Sequence, residues 1–290
     1  MATQSGTLYI VATPIGNLED LGPRAQRILS EVDLILAEDT RHSRKLLSSF
    51  NIRTALQAFH ENNEDRMTAQ VISRLAGGCD IALVADAGTP LISDPGFKLV
   101  RQAHEENIPV CPVPGPAALI TALSVAGIAP GRFLFEGFAP AKAAARRKHL
   151  QALAGAERTM VFYEAPHRIK AFLDDASSIF GAHRKATIAR ELTKKFETIR
   201  HGTLGELIEW MGDNPDRRRG EFVVVIAGAG AGKTGKPELV ATLEILLKSL
   251  TLKQSVRIAA ELTGGNRNEI YDLAVALQQD IDLPASPARE

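Results

Sequence analysis

Cysteine, aromatic residues, net charge and long apolar runs are all scarce in this chain, and each shortage removes a class of protein. The two cysteines among 290 residues, Cys79 and Cys111, form no Cys-x-x-Cys and no Cys/His cluster. Neither a disulfide framework nor a zinc site is suggested, so no metal is expected and both thiols are expected to be free and buried. Lysine plus arginine (34) balance aspartate plus glutamate (34). That excludes a uniformly basic nucleic-acid coat but leaves room for local basic patches. No apolar run approaches the roughly 20 residues that cross a bilayer, and the opening Met-Ala-Thr-Gln-Ser-Gly lacks the features of a signal peptide. A cytoplasmic location is the expectation. What is present is ordinary: 45% apolar and 23% charged residues belong to a globular protein, not to a disordered, collagenous or coiled-coil one. With domains of roughly 100–200 residues, the length predicts two, with room for an appendage.

The apolar pattern alternates between strand and helix. Thr7 to Ala12 reads as a strand, Thr13 to Asn17 as a turn, Leu21 to Ser30 as a helix and Val32 to Ala37 as a second strand. The rhythm recurs with a strand at Asp80 to Asp86, a helix at Pro95 to Asn107, a strand at Pro109 to Val113 and a helix at Pro116 to Val125. Such repetition predicts an α/β fold with a mainly parallel sheet and helices on both faces. Glycine and proline interrupt the pattern at Gly127 to Arg132, and new strands follow at Phe133 to Gly137, Thr159 to Tyr163, Ala186 to Arg190 and Glu221 to Ala227. The expected division is an N-terminal α/β domain at 1–127, a second α/β domain at 128–228, and a linker with a small helical C-terminal domain at 229–290. Helices in the last part are expected at Glu238 to Leu250, Lys253 to Thr263 and Asn266 to Gln279, with Gly264-Gly265 between the last two and a frayed end from Leu283.

The densest chemical signal is Ala85-Asp-Ala-Gly-Thr-Pro-Leu-Ile-Ser-Asp-Pro-Gly96, at the end of a strand. Ligands of open parallel sheets bind beyond the carboxyl ends of the strands, and small residues let backbone approach them. A surface turn needs one Gly or Pro, whereas this stretch holds two Gly, two Pro and two Asp. Val113-Pro-Gly-Pro-Ala-Ala118 also follows a strand and opens a helix. With Thr13-Pro-Ile-Gly-Asn17 these make three strand-end loops able to converge on one cleft. None contains Gly-x-Gly-x-x-Gly, so no dinucleotide fingerprint is present.

Taken in order, Ala12-Thr-Pro-Ile-Gly-Asn17, Ala37-Glu-Asp-Thr-Arg41, the Asp86 to Gly96 loop, Pro114-Gly-Pro-Ala117, Tyr163-Glu-Ala-Pro-His-Arg168, Ala189-Arg-Glu-Leu-Thr-Lys194 and Gly220-Glu221 resemble the tetrapyrrole-methylase-like (class III) methyltransferases. The resemblance runs from about residue 7 to 228, and the helical tail is similar, more loosely, to the C-terminal domain of a ribosomal RNA member. It implies S-adenosylmethionine (SAM) bound in a cleft between two α/β domains, a homodimer, and 2′-O-methylation of a cytidine in the decoding region of 16S ribosomal RNA. Matching positions carry over Pro14 and Ile15 as cofactor contacts, then Asp86, Gly88, Thr89, Pro90 and Ile92, and then Ala117 and Ala118. From the second domain come Phe162, Tyr163, Glu191, Leu192 and Glu221.

Methyl transfer to a ribose hydroxyl is an in-line displacement, accelerated by holding the oxygen aligned behind the methyl carbon. The hydroxyl proton must also leave. Glu164, His167, Glu191 and Lys194, in loops after second-domain strands, are the candidates for taking it or for positioning the hydroxyl. Lys194 would serve if burial or a neighbouring cation lowered its pKa, while Glu191 could instead orient the cofactor's amino group. A solvated surface charge explains each of the four equally well. For RNA phosphates the candidates are Arg41, Arg44 and Lys45 at a helix start, Arg146, Arg147 and Lys148 on another helix, and Arg168. Arg217 to Arg219, read as a loop, and Lys253, Arg257, Arg267 and Asn268 in the tail are as well explained by solvated charge. Single-stranded RNA is usually gripped by bases splayed onto aromatic rings, and Phe138, Tyr163 and Phe196 are the rings available.

One segment competes. Ala227-Gly-Ala-Gly-Ala-Gly-Lys-Thr234 approaches a phosphate-binding P-loop, with Ala227 where the first Gly belongs. Gly235-Lys-Pro237 interrupts the helix that would have to begin there, so a linker is the expectation. The rival readings are a methylase of a tetrapyrrole or other small molecule, a P-loop nucleotide hydrolase and a non-catalytic RNA-binding protein. The basic clusters and helical tail argue against the first.

Overall fold

Short, wholly apolar runs set the centre of the first sheet. In this computed structural model, which describes residues 5–229, 236–263 and 266–282, the first five strands are β1 (Leu8–Val11), β2 (Leu34–Ala37), β3 (Leu56–Ala58), β4 (Ile81–Val84) and β5 (Val110–Val113). They lie in the order β3-β2-β4-β1-β5 and every pair is parallel. β2 and β4 are buried at all of their residues, as strands covered on both faces must be. Leu36 and Leu83 pack with Leu75 and Leu99 on one face, and Ile35 and Val84 pack with Ile28 and Leu47 on the other. The expected parallel, doubly covered sheet is what this half forms.

The second sheet, for which only an α/β domain is expected, is mixed. Its strands are β6 (Phe133–Phe138), β7 (Thr159–Glu164), β8 (Lys185–Arg190), β9 (Thr198–Thr203) and β10 (Phe222–Ile226), in the order β6-β7-β10-β8-β9. β6 and β7 pair parallel, but β10 runs antiparallel to both neighbours and β9 antiparallel to β8. Both sheets belong to one compact unit, Met1–Leu153 with Thr159–Ile226; Ala154–Arg158 and Ala227–Glu290 make the other.

In the second unit, helices Lys236–Leu247, Leu252–Thr263 and Arg267–Asp282 gather around Leu243, Val256, Ala259, Ile270 and Ala274. The expected break at Gly264-Gly265, the frayed end from Leu283, and the P-loop-like stretch Ala227 to Thr234 from residue 230 onward lie outside the described residues. Cys79 and Cys111 are free, but both are half-buried rather than buried: Cys111 sits on β5, which is an edge of the first sheet. Among the described residues no helix is long and apolar enough to cross a membrane, and no cluster of ligating side chains could hold a metal ion.

Candidate functional site

Because the first sheet is parallel, the loops after β1, β4 and β5 all leave from the same edge, and they are tied to one another there. Thr13 and Gly88 exchange backbone hydrogen bonds of 2.9 and 3.0 Å. The Thr13 hydroxyl donates to the Ala85 carbonyl at 3.1 Å, and the Thr89 hydroxyl donates to the Pro116 carbonyl at 3.0 Å. The far end of the Asp86 to Gly96 loop is fixed from another helix: the buried Glu64 carboxylate accepts from the N–H groups of Gly96 and Lys98 at 3.1 and 3.3 Å. Between these anchors Leu91 (φ 72°) and Ser93 (φ 74°) hold left-handed backbone without being glycine, a conformation that costs on the order of 1–3 kcal/mol each.

A cavity of about 480 Å³ opens against these loops. Its walls include ten of the expected cofactor contacts: Ile15, Asp86, Gly88, Thr89 and Ile92, then Ala117, Ala118, Tyr163, Leu192 and Glu221. Pro14 and Pro90 are buried beside it without lining it. Phe162 does not line it either, since its ring packs 5.1 Å from that of Phe172 inside the second half. Neighbouring residues on a strand face opposite ways, so Tyr163 takes the cavity side, where its hydroxyl accepts from the Leu119 N–H at 3.2 Å. Burial pushes the Tyr163 phenol up, and the Leu119 hydrogen bond offsets only part of that.

The four catalytic candidates separate. Glu164 lines the cavity with a buried carboxylate that accepts from Arg168 at 3.2 Å and from the Ala165 N–H at 3.1 Å. Burial raises its pKa, and those partners moderate the rise. His167 is exposed and lies outside the walls. Glu191 and Lys194 also lie off the walls, in a network beside them: the Lys194 ammonium donates to Glu191 at 3.0 Å and to Glu221 at 2.9 Å. Glu191 also accepts from the Glu221 N–H at 3.0 Å. Burial alone would raise the Glu191 pKa, but these contacts hold it below the usual carboxylate range. Lys194 is the reverse case. Burial would lower its pKa, and the two carboxylates outweigh that and raise it. The lowered pKa under which Lys194 could act as a base is therefore not present in this geometry, where its ammonium bridges two carboxylates.

Several wall residues lie in the motif segments without having been expected as contacts, among them Ala87, Ser93, Asp94, Ala165 and Ala189. Asp94 is the one with chemistry. Burial, reinforced by the charges of Glu38 and Asp86, pushes its carboxyl up to about 6. The paired aspartates of the loop motif were the available signal. Phe138, noted only as an available ring, is also part of the wall.

Of the basic candidates, Arg44, Lys45 and Lys148 are exposed. Arg41 is exposed with its guanidinium 3.0 Å from Asp39, and Arg147 is exposed with its Nε 2.8 Å from Asp175. Arg146 requires correction: it is buried, with both Nε and a terminal nitrogen on Asp175 at 2.8 and 2.7 Å and a further bond to the Ala141 carbonyl. Its charge is consumed inside the fold. Arg168 is likewise committed, to Glu164 and the Ala139 carbonyl. Arg217 and Arg218 lie in a 3-10 turn rather than a loop, with Arg217 stacked 4.9 Å over Trp210.

Comparison with known proteins gives this geometry its context. Residues 7–208 match the family model described as Tetrapyrrole (Corrin/Porphyrin) Methylases, and residues 234–278 match one described as RsmI C-terminal HTH domain. A Pseudomonas aeruginosa protein named ribosomal RNA small subunit methyltransferase I is 53% identical over 277 residues, spanning 94% of this chain and 98% of its own. A protein of the same name from Escherichia coli O157:H7 is 46% identical, spanning 94% and 96%. Among solved structures, the methyltransferase CobJ superposes with a TM-score of 0.57 at 20% identity, covering 80% of this chain and 98% of that one. Uroporphyrin-III C-methyl transferase from Thermus thermophilus, complexed with S-adenosyl homocysteine, gives 0.53 at 17% identity, covering 77% and 97%. At those identities the solved structures establish the fold alone. The chain belongs to the tetrapyrrole (corrin/porphyrin) methylase family, and it aligns almost end to end with members named for methyl transfer to small-subunit ribosomal RNA.

Proposed function

We propose that this protein is a SAM-dependent methyltransferase that modifies the ribose 2′-oxygen of a cytidine in the decoding region of 16S ribosomal RNA, working in the cytoplasm as a homodimer. The observation that carries the reading is the cavity at the carboxyl edge of the parallel sheet, whose wall from Ile15 to Leu192 lies within the span matched by the family model. Its volume of about 480 Å³ falls within the roughly 300–1,000 Å³ usual for cofactor pockets.

The residues present fit SAM. Gly88 lines the cavity at φ 85°, a left-handed backbone that favours glycine and presents bare main chain to a ligand, and a Cβ there would crowd Ile15 at 3.3 Å. Bound SAM supplies a methyl group made electrophilic by its sulfonium charge. Asp86 and Asp94, with Glu38 behind them, bring negative potential suited to a cation. Ile15, Ala117, Ala118 and Leu192 supply apolar wall that keeps water out. Glu221, held by Lys194, offers a carboxylate from the second half.

Asp94, with its pKa at about 6, is mostly ionised at neutral pH and still basic enough to accept the hydroxyl proton. Glu164, bonded to Arg168 and the Ala165 N–H, is better placed to hold an acceptor than to exchange protons freely. Arg41, Arg44, Lys45, Arg147 and Lys148 are the side chains for phosphate contact.

Calorimetric titration with SAM, S-adenosylhomocysteine and ATP, on the wild type and Gly88→Trp, tests the cofactor assignment. Binding of the two adenosylated sulfur ligands and not ATP, abolished in the variant, is expected. Transfer of labelled methyl to unmodified small ribosomal subunits, with the product nucleoside identified by mass, then tests the acceptor. ATP binding that survives Gly88→Trp, with no response to SAM, overturns the reading.

A further inference from the structure

Five per cent of this chain is aromatic, yet one phenylalanine stands in the cavity wall with 55% of its surface uncovered. We propose that Phe138 is the stacking platform for a nucleobase that the substrate RNA turns out of its strand into this cavity. The proposal rests on the RNA methyltransferase reading above.

The local backbone is built to put the ring there. In an uninterrupted strand, residues three apart face opposite sides of the sheet. Phe135 and Phe138 nevertheless both meet Tyr163, with ring centroids 5.0 and 5.7 Å away at 69° and 66°. The cause is a break in the β6–β7 register: Phe135 pairs with Val161, Gly137 with Phe162 and Phe138 with Tyr163, so the strand gains a residue between Phe135 and Gly137. Gly137 takes φ 60° to make that bulge. Bulges beside active sites commonly re-aim a side chain, and this one aims Phe138 into the wall it shares with Tyr163.

The surroundings place the ring where an acceptor can meet the cofactor. A Cβ on Gly137 would stand 3.6 Å from the Ser93 hydroxyl, so the bulge lies against the Ser93-Asp94 turn. Phe138, Ser93 and Glu164 are wall residues to which the family resemblance assigns no cofactor contact, and Phe138 adjoins the assigned ones at Tyr163. An edge-to-face partner occupies at most one face of a ring. Phe138, partnered by Tyr163 and more than half uncovered, keeps π surface free for a base. Stacking of that kind tolerates any base, leaving discrimination to polar groups nearby.

The test is steady-state methyl transfer onto unmodified small subunits by wild type, Phe138→Ala, Phe138→Leu, Phe138→Tyr and Phe138→Trp, with SAM affinity measured calorimetrically for each. Loss of one base stack predicts that Ala and Leu lower kcat/KM for the subunit by roughly 5- to 150-fold. Tyr and Trp retain most of it, and SAM affinity stays at the wild-type value throughout. Leucine restores apolar bulk without a π face, so it carries the test even if the alanine variant is less stable. A leucine variant as active as wild type overturns the proposal, as does a loss of SAM affinity in step with activity. A wild type that binds SAM and methylates no subunit overturns the underlying reading instead, and is recognisable because no substitution is involved.

Discussion

Thr13 and Gly88, 75 residues apart, are bound to each other by a reciprocal pair of main-chain hydrogen bonds, so the loops leaving β1 and β4 act as one piece of wall. Gly88 sustains this at φ 85°. Gly88→Ala is expected to cost about 1–3 kcal/mol of stability through backbone strain and to weaken SAM binding, since the added carbon crowds Ile15 at 3.3 Å. Denaturant unfolding and calorimetry measure the two effects. An alanine variant with wild-type stability and affinity would show that the bend is not needed.

The raised pKa of Asp94 sets a pH window. Its folded value of about 6 lies above the ordinary 3.8, so the folded state binds the proton more tightly than the unfolded one. Stability is therefore lost as pH rises from about 3.8 towards 6 and stays lost above it. Asp94→Asn is expected to melt higher than wild type at neutral and alkaline pH, the gap closing on acidification. The methylation rate of the wild type should rise through pH about 6, and the variant should lose that limb along with most of its rate.

Lys194 separates positioning from proton transfer. With both Glu191 and Glu221 on its ammonium, Lys194→Gln leaves two carboxylates facing each other unneutralised. SAM affinity is expected to fall, Lys194→Arg to restore part of it, and the pH of the acid limb to stay where it is in wild type. A Gln variant that binds SAM normally but has lost its pH dependence would instead make Lys194 the proton acceptor.

Two adjacent arginines should behave as opposites. Asp175→Ala strands the buried Arg146 charge, and a loss of about 3–5 kcal/mol is expected in chemical unfolding. Lys148→Ala, at an exposed position, should shift stability by under about 0.5 kcal/mol, and Arg147→Ala, whose exposed guanidinium pairs with Asp175 at 2.8 Å, by up to about 1 kcal/mol. Each should weaken RNA binding and reduce the salt dependence of log affinity by about one contact. Unchanged RNA affinity in both surface variants would remove that helix from the RNA contact.

What was legible in the sequence follows from burial. β2, β4 and β10 are buried at every position and announce themselves as apolar runs. β3 and β9 are edge strands, the latter with one buried residue in six, and they write no such pattern. The antiparallel course of β10 was illegible because an apolar run carries no direction. The cavity loops were legible through their glycines and prolines, since backbone that approaches a ligand needs them. Whether Phe162 or Tyr163 faces the cavity depends on strand register, and a slip of one residue reverses every side chain. Arg146 was the avoidable error. Leu150, four residues on and fully buried, marks the same helix face as the inward one.

The anchoring of the Asp86 to Gly96 loop fixes one wall of the cavity in advance of any ligand. Thr13 grips it at Gly88, Glu64 grips it at Gly96, and Leu91 and Ser93 are locked between. The opposing segment from Glu191 to Lys194 is joined to Glu221 by a main-chain bond from the Glu191 N–H to the Glu221 carbonyl at 2.9 Å, by the Glu221 N–H on the Glu191 carboxylate, and by the Lys194 ammonium, and it too holds non-glycine left-handed residues, Glu191 and Thr193. The first half acts as a fixed template that loses little entropy when occupied, so substitutions in it should change how tightly a ligand is held far more than how quickly it arrives.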